Sequence, residues 1–173
     1  MADVPDQIVL SIARDREGKR DVLMRRVALG FLAAFLALGL LNVFGQRPAT
    51  STAENDVARL EVYSPERVRG GLFYEARFRI DAIREVSEAT LVLDSGWAEG
   101  ITINTVEPAP IGEASRDGRL AFELGRIPAG QKHVFFLQLQ VNPTNVGHRS
   151  QDVELYDGDE LLATIDRTIT VWP

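Results

Sequence analysis

The sequence predicts an all-β protein: an antiparallel β-sandwich of seven to nine strands, preceded by one transmembrane α-helix. Three observations carry this expectation. Residues 27–44 form an eighteen-residue run without a charge. After Asn55, apolar residues recur at every second position, which is the period of a half-buried strand. Pairs such as Asp-Gly and Gly-Gly separate those runs, and they suit tight turns because they tolerate positive φ.

The apolar run, VALGFLAAFLALGLLNVF, has Asn42 as its single polar side chain. At 1.5 Å per residue it makes a rod of about 27 Å, close to the ~30 Å hydrocarbon layer. Eleven of its residues are Leu, Phe or Val, which together favour insertion by about 3–7 kcal/mol. A core helix of a soluble domain would show a polar stripe, and this run has none. Arg25 and Arg26 stand where they can snorkel to phosphates, so the span is placed at 22–44. A cleaved signal peptide is the alternative, with Ala49-Thr50-Ser51 or Ser51-Thr52-Ala53 as the cleavage site. The length of the run and of the segment before it favour a retained anchor.

The flanks set the orientation. Residues 14–26 contain Arg14, Arg16, Lys19, Arg20, Arg25 and Arg26 against three acids, whereas the fifteen residues after Phe44 contain only Arg47 and Arg59. Basic residues stay inside, so residues 1–21 are expected to be a short cytoplasmic segment and the bulk of the chain extracytoplasmic. Within that segment QIVLSI reads either as an amphipathic helix on the inner leaflet or as a short strand. On the anchor itself, Gly30 and Ala34 lie four apart, a spacing that lets a second helix approach closely in lipid. Small residues are also common in such spans.

Residues 45–55 (GQRPATSTAEN) are small, polar and proline-containing, and read as a linker reaching about 18 Å. The sandwich is expected over 56–173. Its inward set begins with Leu60 and Val62, then Tyr74, Ala76, Phe78 and Ile80. Leu91 and Leu93, Ile101 and Ile103, and Leu120, Phe122 and Leu124 follow. Phe135, Leu137, Leu139 and Val141 make a long strand, Val153 and Leu155 the penultimate one, and Ile165, Ile169 and Val171 the last. Gly70-Gly71, Asp117-Gly118 and Asp157-Gly158 read as hairpin turns. Pro128-Ala129-Gly130 reads as a turn with proline second, and Pro108–Gly112 as a crossover between sheets.

Leu124-Gly125-Arg126-Ile127-Pro128-Ala129-Gly130-Gln131, a long strand, then Val141-Asn142-Pro143-Thr144-Asn145-Val146-Gly147 resemble the second half of bacterial extracytoplasmic Ig-like "conserved repeat" domains. Such domains carry a Leu-Gly-x-Leu-x-Pro-Gly turn, an alternating strand and a Pro-x-x-x-Gly turn. Here Ala129 intervenes between Pro128 and Gly130. The resemblance implies an Ig-like fold outside a bacterial inner membrane. It implies no activity, because such sandwiches serve as spacers, adhesion modules and subunit contacts.

The composition narrows the chemistry. A net charge of −6 argues against nucleic acid as a partner. There is no cysteine and there are two histidines, so thiolate chemistry is excluded and imidazole-rich metal sites are disfavoured. No serine sits in a nucleophile elbow, and His133 and His148 read as exposed histidines at the sandwich edge. Asp157-Gly158-Asp159-Glu160 lacks the spacing of a twelve-residue calcium loop and reads as a turn first, a weak cation site second. No catalytic residue, metal ligand or cofactor is expected. Trp97, in a glycine-flanked loop, is either ordinary packing or an exposed anchor for a partner or sugar. Trp172 either caps the last strand or sits at the membrane interface. The expected function is a non-enzymatic accessory or assembly subunit of a membrane or envelope complex, touching lipid and another membrane or envelope protein. An envelope glycan- or peptide-binding module is the alternative.

Overall fold

The computed structural model describes residues 19–43 and 45–173, and the chain divides into two units, Met1–Val43 and Phe44–Pro173. The reading of QIVLSI lies outside the described residues. In the first unit a helix, α1, runs over Lys19–Leu40. From Arg20 to Leu40 it is long and apolar enough to cross a membrane, and its residues are exposed throughout.

The helix stops short of the expected Phe44, and Asn42 is the reason. Val43 N–H donates to the Leu38 carbonyl (3.1 Å) and Asn42 N–H to that of Gly39 (3.0 Å). Asn42 itself takes φ 54°. This is a Schellman cap, and asparagine is one of the few non-glycine residues that tolerates the left-handed position it needs.

The second unit is all-β. Its strands are β1 (Pro48–Glu54), β2 (Ala58–Pro65), β3 (Arg67–Arg69), β4 (Phe73–Ala82), β5 (Val86–Leu93), β6 (Ile101–Glu107) and β7 (Gly112–Arg116). They continue with β8 (Arg119–Ile127), β9 (Lys132–Val141), β10 (Gly147–Ser150), β11 (Val153–Asp157), β12 (Glu160–Ile165) and β13 (Thr168–Trp172). One sheet has the order β1-β2-β4-β9-β6, a second β12-β11-β5-β8-β7, and a three-stranded sheet β10-β13-β3. Neighbours are antiparallel except β13 and β3, which are parallel.

The alternating residues of the two large sheets meet in one core. Leu60, Val62, Ala76, Phe78, Ile80, Phe135, Leu137 and Leu139 come from the first sheet, and Leu91, Leu93, Phe122, Val153 and Leu155 from the second. A run of tilted rings crosses between them: Trp97 to Phe78 (5.2 Å), Phe78 to Phe135 (6.1 Å) and Phe135 to Phe122 (5.0 Å). Ring pairs at such separations add to the area they bury. The expected inward set lies here, with Ile103 and Leu120 only partly buried.

Four expectations need correction. Among the described residues the strands number thirteen, because short members such as β3 and β10 carry too few residues to show a period. The stretch 45–55 is not a free linker, since Pro48–Glu54 pairs with β2 along its whole length. Ile165 and Ile169 belong to separate strands in different sheets. Gly70-Gly71 joins β3 to β4, again in different sheets, so it is not a hairpin.

The other turns follow their chemistry more closely. Asp117 (φ 53°) and Gly118 (φ 77°) close the β7–β8 hairpin, the two positive angles that a type I′ turn requires. Gly158 closes β11–β12. At 128–131 the Gln131 N–H donates to the Pro128 carbonyl (3.1 Å), which puts proline first in the turn, not second. Pro108–Ile111 does cross from one large sheet to the other.

Candidate functional site

Strand direction gives the sandwich two ends. Residues 45–48, 70–73, 94–100, 142–147 and 172–173 share the end at which the chain arrives from α1, termed the proximal end. Residues 82–85, 108–111, 128–131 and 158–159 share the distal end.

Trp97 lies in a single 3-10 turn, Ser95–Trp97, at the proximal end. It is not a surface anchor. Its side chain is fully buried against Phe78, and its indole N–H donates to the Asp152 carbonyl at 3.3 Å. The loop is latched onto the chain around 150–152: Asp94 N–H donates to the Asp152 carbonyl at 3.1 Å, and a Cβ on Gly96 would come within 1.8 Å of the Ser150 carbonyl oxygen. Only glycine fits there. Of the two readings of Trp97, packing and an exposed anchor for a partner or sugar, the buried side chain is packing.

A buried polar cluster lies beside this loop. Gln151 donates from its amide to the Tyr74 hydroxyl (3.1 Å). Arg167 is buried, and its guanidinium donates to the Val62 carbonyl (3.0 Å), the Ser64 carbonyl (2.8 Å) and the Ser51 hydroxyl (3.2 Å). Its backbone N–H is held by the Asp152 carboxylate at 2.8 Å. Burial lowers the Arg167 pKa, and burial pushes the Tyr74 phenol up to about 12. The arginine thus ties β1 and β2 to the connection before β13. Sequence reading missed it, although the parity of Ile165, Ile169 and Val171 points residue 167 inward.

On the outer face of the second sheet, Arg119 and Glu154 form a two-pronged ion pair (2.8 and 2.9 Å), and the Tyr156 hydroxyl donates to the same carboxylate at 2.7 Å. Arg116 stacks over the Tyr156 ring at 3.8 Å and donates to the Gly158 carbonyl. The hydrogen bond from Arg119, aided by that from Tyr156, holds the Glu154 pKa below 4.5. A carboxylate with a lowered folded pKa stabilises the fold above its unfolded value and loses that contribution as pH falls through the lowered one. Glu154→Gln is therefore expected to lower the melting temperature at neutral pH and to flatten its acid dependence. Melts of both chains across the acid range check this, and parallel curves would refute it.

Beside the hairpin is a surface cleft of about 490 Å³, lined by Glu88, Glu123, Asp159, Thr90 and Ile111 among others. Asp159 already accepts from Arg116 at 3.2 Å, and Asp157 accepts from the Glu88 backbone at 2.7 Å. The segment 157–160 is a turn whose first two acids, Asp157 and Asp159, are occupied. His133 is half-buried on β9 and its pKa is lowered by burial. His148 shares a hydrogen bond with the Thr170 hydroxyl at 3.0 Å. Among the described residues no three His, Asp or Glu gather closely enough to hold a metal ion. Neither histidine is hydrogen-bonded to a serine or a carboxylate there. Gly30 and Ala34 lie on the exposed helix, and among the described residues a Cβ at Gly30 would meet nothing within 4 Å beyond the backbone of its own helix.

No family model and no curated protein matches the chain. Among solved structures it is similar to part of a β-glucosidase from Listeria innocua, at 13% identity and a TM-score of 0.34, over 70% of this chain and 16% of that one. The same enzyme in complex with gluconolactone gives 10% identity and a TM-score of 0.31, over 74% and 16%. The chain thus spans about one sixth of that enzyme's length. A likeness at this level transfers neither fold nor activity.

Proposed function

We propose that this chain is a single-pass membrane protein of a bacterial inner membrane, with its N-terminus cytoplasmic and one Ig-like sandwich held outside. In this reading it is not an enzyme. It is an accessory or assembly subunit of a membrane or envelope complex. The carrying observation is the helix Arg20–Leu40, uncharged from Val27 onward and without a buried residue, in a chain whose second unit has its own core. An exposed apolar helix of this length has a bilayer as its natural solvent. The surplus of basic residues before it supports the orientation.

The Ig-like assignment is supported by the glycines of the resemblance. Gly125, Gly130 and Gly147 have φ of 74°, 76° and 117°, the region that a side chain disfavours. A motif that keeps glycine at such positions is a backbone requirement.

The partner is expected to meet the anchor at Gly30 and Ala34, where small side chains permit close approach. Extraction of the full chain from its own membranes in mild detergent should recover a stoichiometric polytopic protein. Gly30→Leu with Ala34→Leu should lose it, because neither leucine disturbs the helix itself. Recovery of the chain alone, at monomer size, would overturn the subunit reading. A partner kept by the double variant would move the contact to the sandwich.

A further inference from the structure

We infer that the proximal end of the sandwich is a lipid-docking face that rests on the bilayer carrying the protein's own anchor. This inference rests on the membrane reading of α1. Of the seven exposed large hydrophobic side chains among the sandwich's described residues, four lie at this end: Leu72, Phe73, Val146 and Trp172, between 40% and 62% exposed. They come from three separate parts of the chain. Backbone bonds hold those parts together: Gly70 N–H to the Trp172 carbonyl (2.8 Å), Gly71 N–H to the Val141 carbonyl (2.9 Å) and Val141 N–H to the Leu72 carbonyl (3.0 Å). The other three, Ile83, Ile111 and Leu161, lie at or toward the distal end.

The tether identifies the occupant. The Gln46 side-chain amide donates to the Phe73 carbonyl at 2.8 Å, so the chain is pinned to this face only six residues after α1 ends at Leu40. Six extended residues span at most about 20 Å. If α1 crosses the bilayer, its C-terminal end lies near the surface, and so short a connection keeps this face within reach of it. Basic side chains border the apolar patch, with the exposed acids Glu66 and Glu99 on the same end. Arg67 and Arg69 are exposed on β3, Arg69 pairs with Trp172 in register, and Arg47 directly follows Gln46. Tryptophan favours the headgroup level, and basic side chains near an anionic surface contribute about 1 kcal/mol each.

The chain has no cysteine, so one introduced cysteine carries one probe. The full chain bearing Leu72→Cys, or Ile111→Cys at the distal end, would be labelled with an environment-sensitive fluorophore. It would then be reconstituted in phosphatidylcholine vesicles with and without phosphatidylglycerol. Headgroup-nitroxide lipid is expected to quench the probe at 72 strongly, with a blue shift, and to leave the probe at 111 unquenched. Quenching should rise with phosphatidylglycerol. Phe73→Glu with Trp172→Glu should abolish it while the circular dichroism of the sheet is unchanged. Equal, weak quenching at both sites in a chain that resists carbonate extraction would overturn the docking face and leave the anchor standing. A chain that carbonate releases would overturn the anchor reading and this inference with it. Self-quenching at 72 that unlabelled chain dilutes out, without lipid quenching, would assign the face to a second copy and overturn the lipid assignment.

Discussion

Trp97→Ala is expected to destabilise the sandwich by about 3–5 kcal/mol, the usual cost of deleting a buried aromatic side chain. The indole is fully buried and forms one end of the ring run through Phe78, Phe135 and Phe122. Its removal leaves a cavity in the core between the sheets. Trp97→Phe keeps most of the packing and loses the 3.3 Å bond to the Asp152 carbonyl, so its cost should be near 1 kcal/mol. Urea unfolding of the full chain in detergent micelles, followed by circular dichroism of the sheet, separates the two. An unchanged midpoint for Trp97→Ala would contradict the buried placement and restore the residue as a surface contact.

Arg167→Met should cost on the order of 3 kcal/mol. Methionine keeps the apolar stem but removes three donors, and hydrogen bonds to a charged group contribute about 1.5–3 kcal/mol each before relaxation. Arg167→Lys is not expected to rescue it, since one ammonium cannot reproduce a planar fork aimed at the carbonyls of Val62 and Ser64 at once. The effect should be local as well as global. β1 is an edge strand bound to the fold through its pairing with β2 and through Ser51 to Arg167. Amide exchange in 49–53 should therefore accelerate more than in β4 or β9, the central strands of that sheet. Equal acceleration across the sheet would show that the arginine does not act as the latch of β1.

Legibility of the chain followed the size of the free-energy terms. Large apolar side chains at period two marked Phe78, Ile80, Phe135 and Leu137 as core, and they are buried. The strand β1, with the sequence PATSTAE, has no large apolar residue and reads as linker. It is ordered by pairing with β2, which leaves no period in hydrophobicity. Trp97 was ambiguous for a related reason. A tryptophan between glycines has the same local sequence whether the loop folds over the core or stands away from it, and the latch to 150–152 decides.

By itself the sequence determined the apolar span, the alternation that makes the second unit all-β, the tight turns at 117–118 and 157–160, and the scarcity of groups for thiol or metal chemistry. These depend on local composition and on neighbours along the chain. The tertiary structure alone decided that Gln151 faces inward, which carbonyls Arg167 meets, that β12 and β13 lie in different sheets, and that Leu72, Phe73, Val146 and Trp172 come together at one end. Each joins residues tens of positions apart, and only the pairing of distant strands brings their side chains within reach of one another.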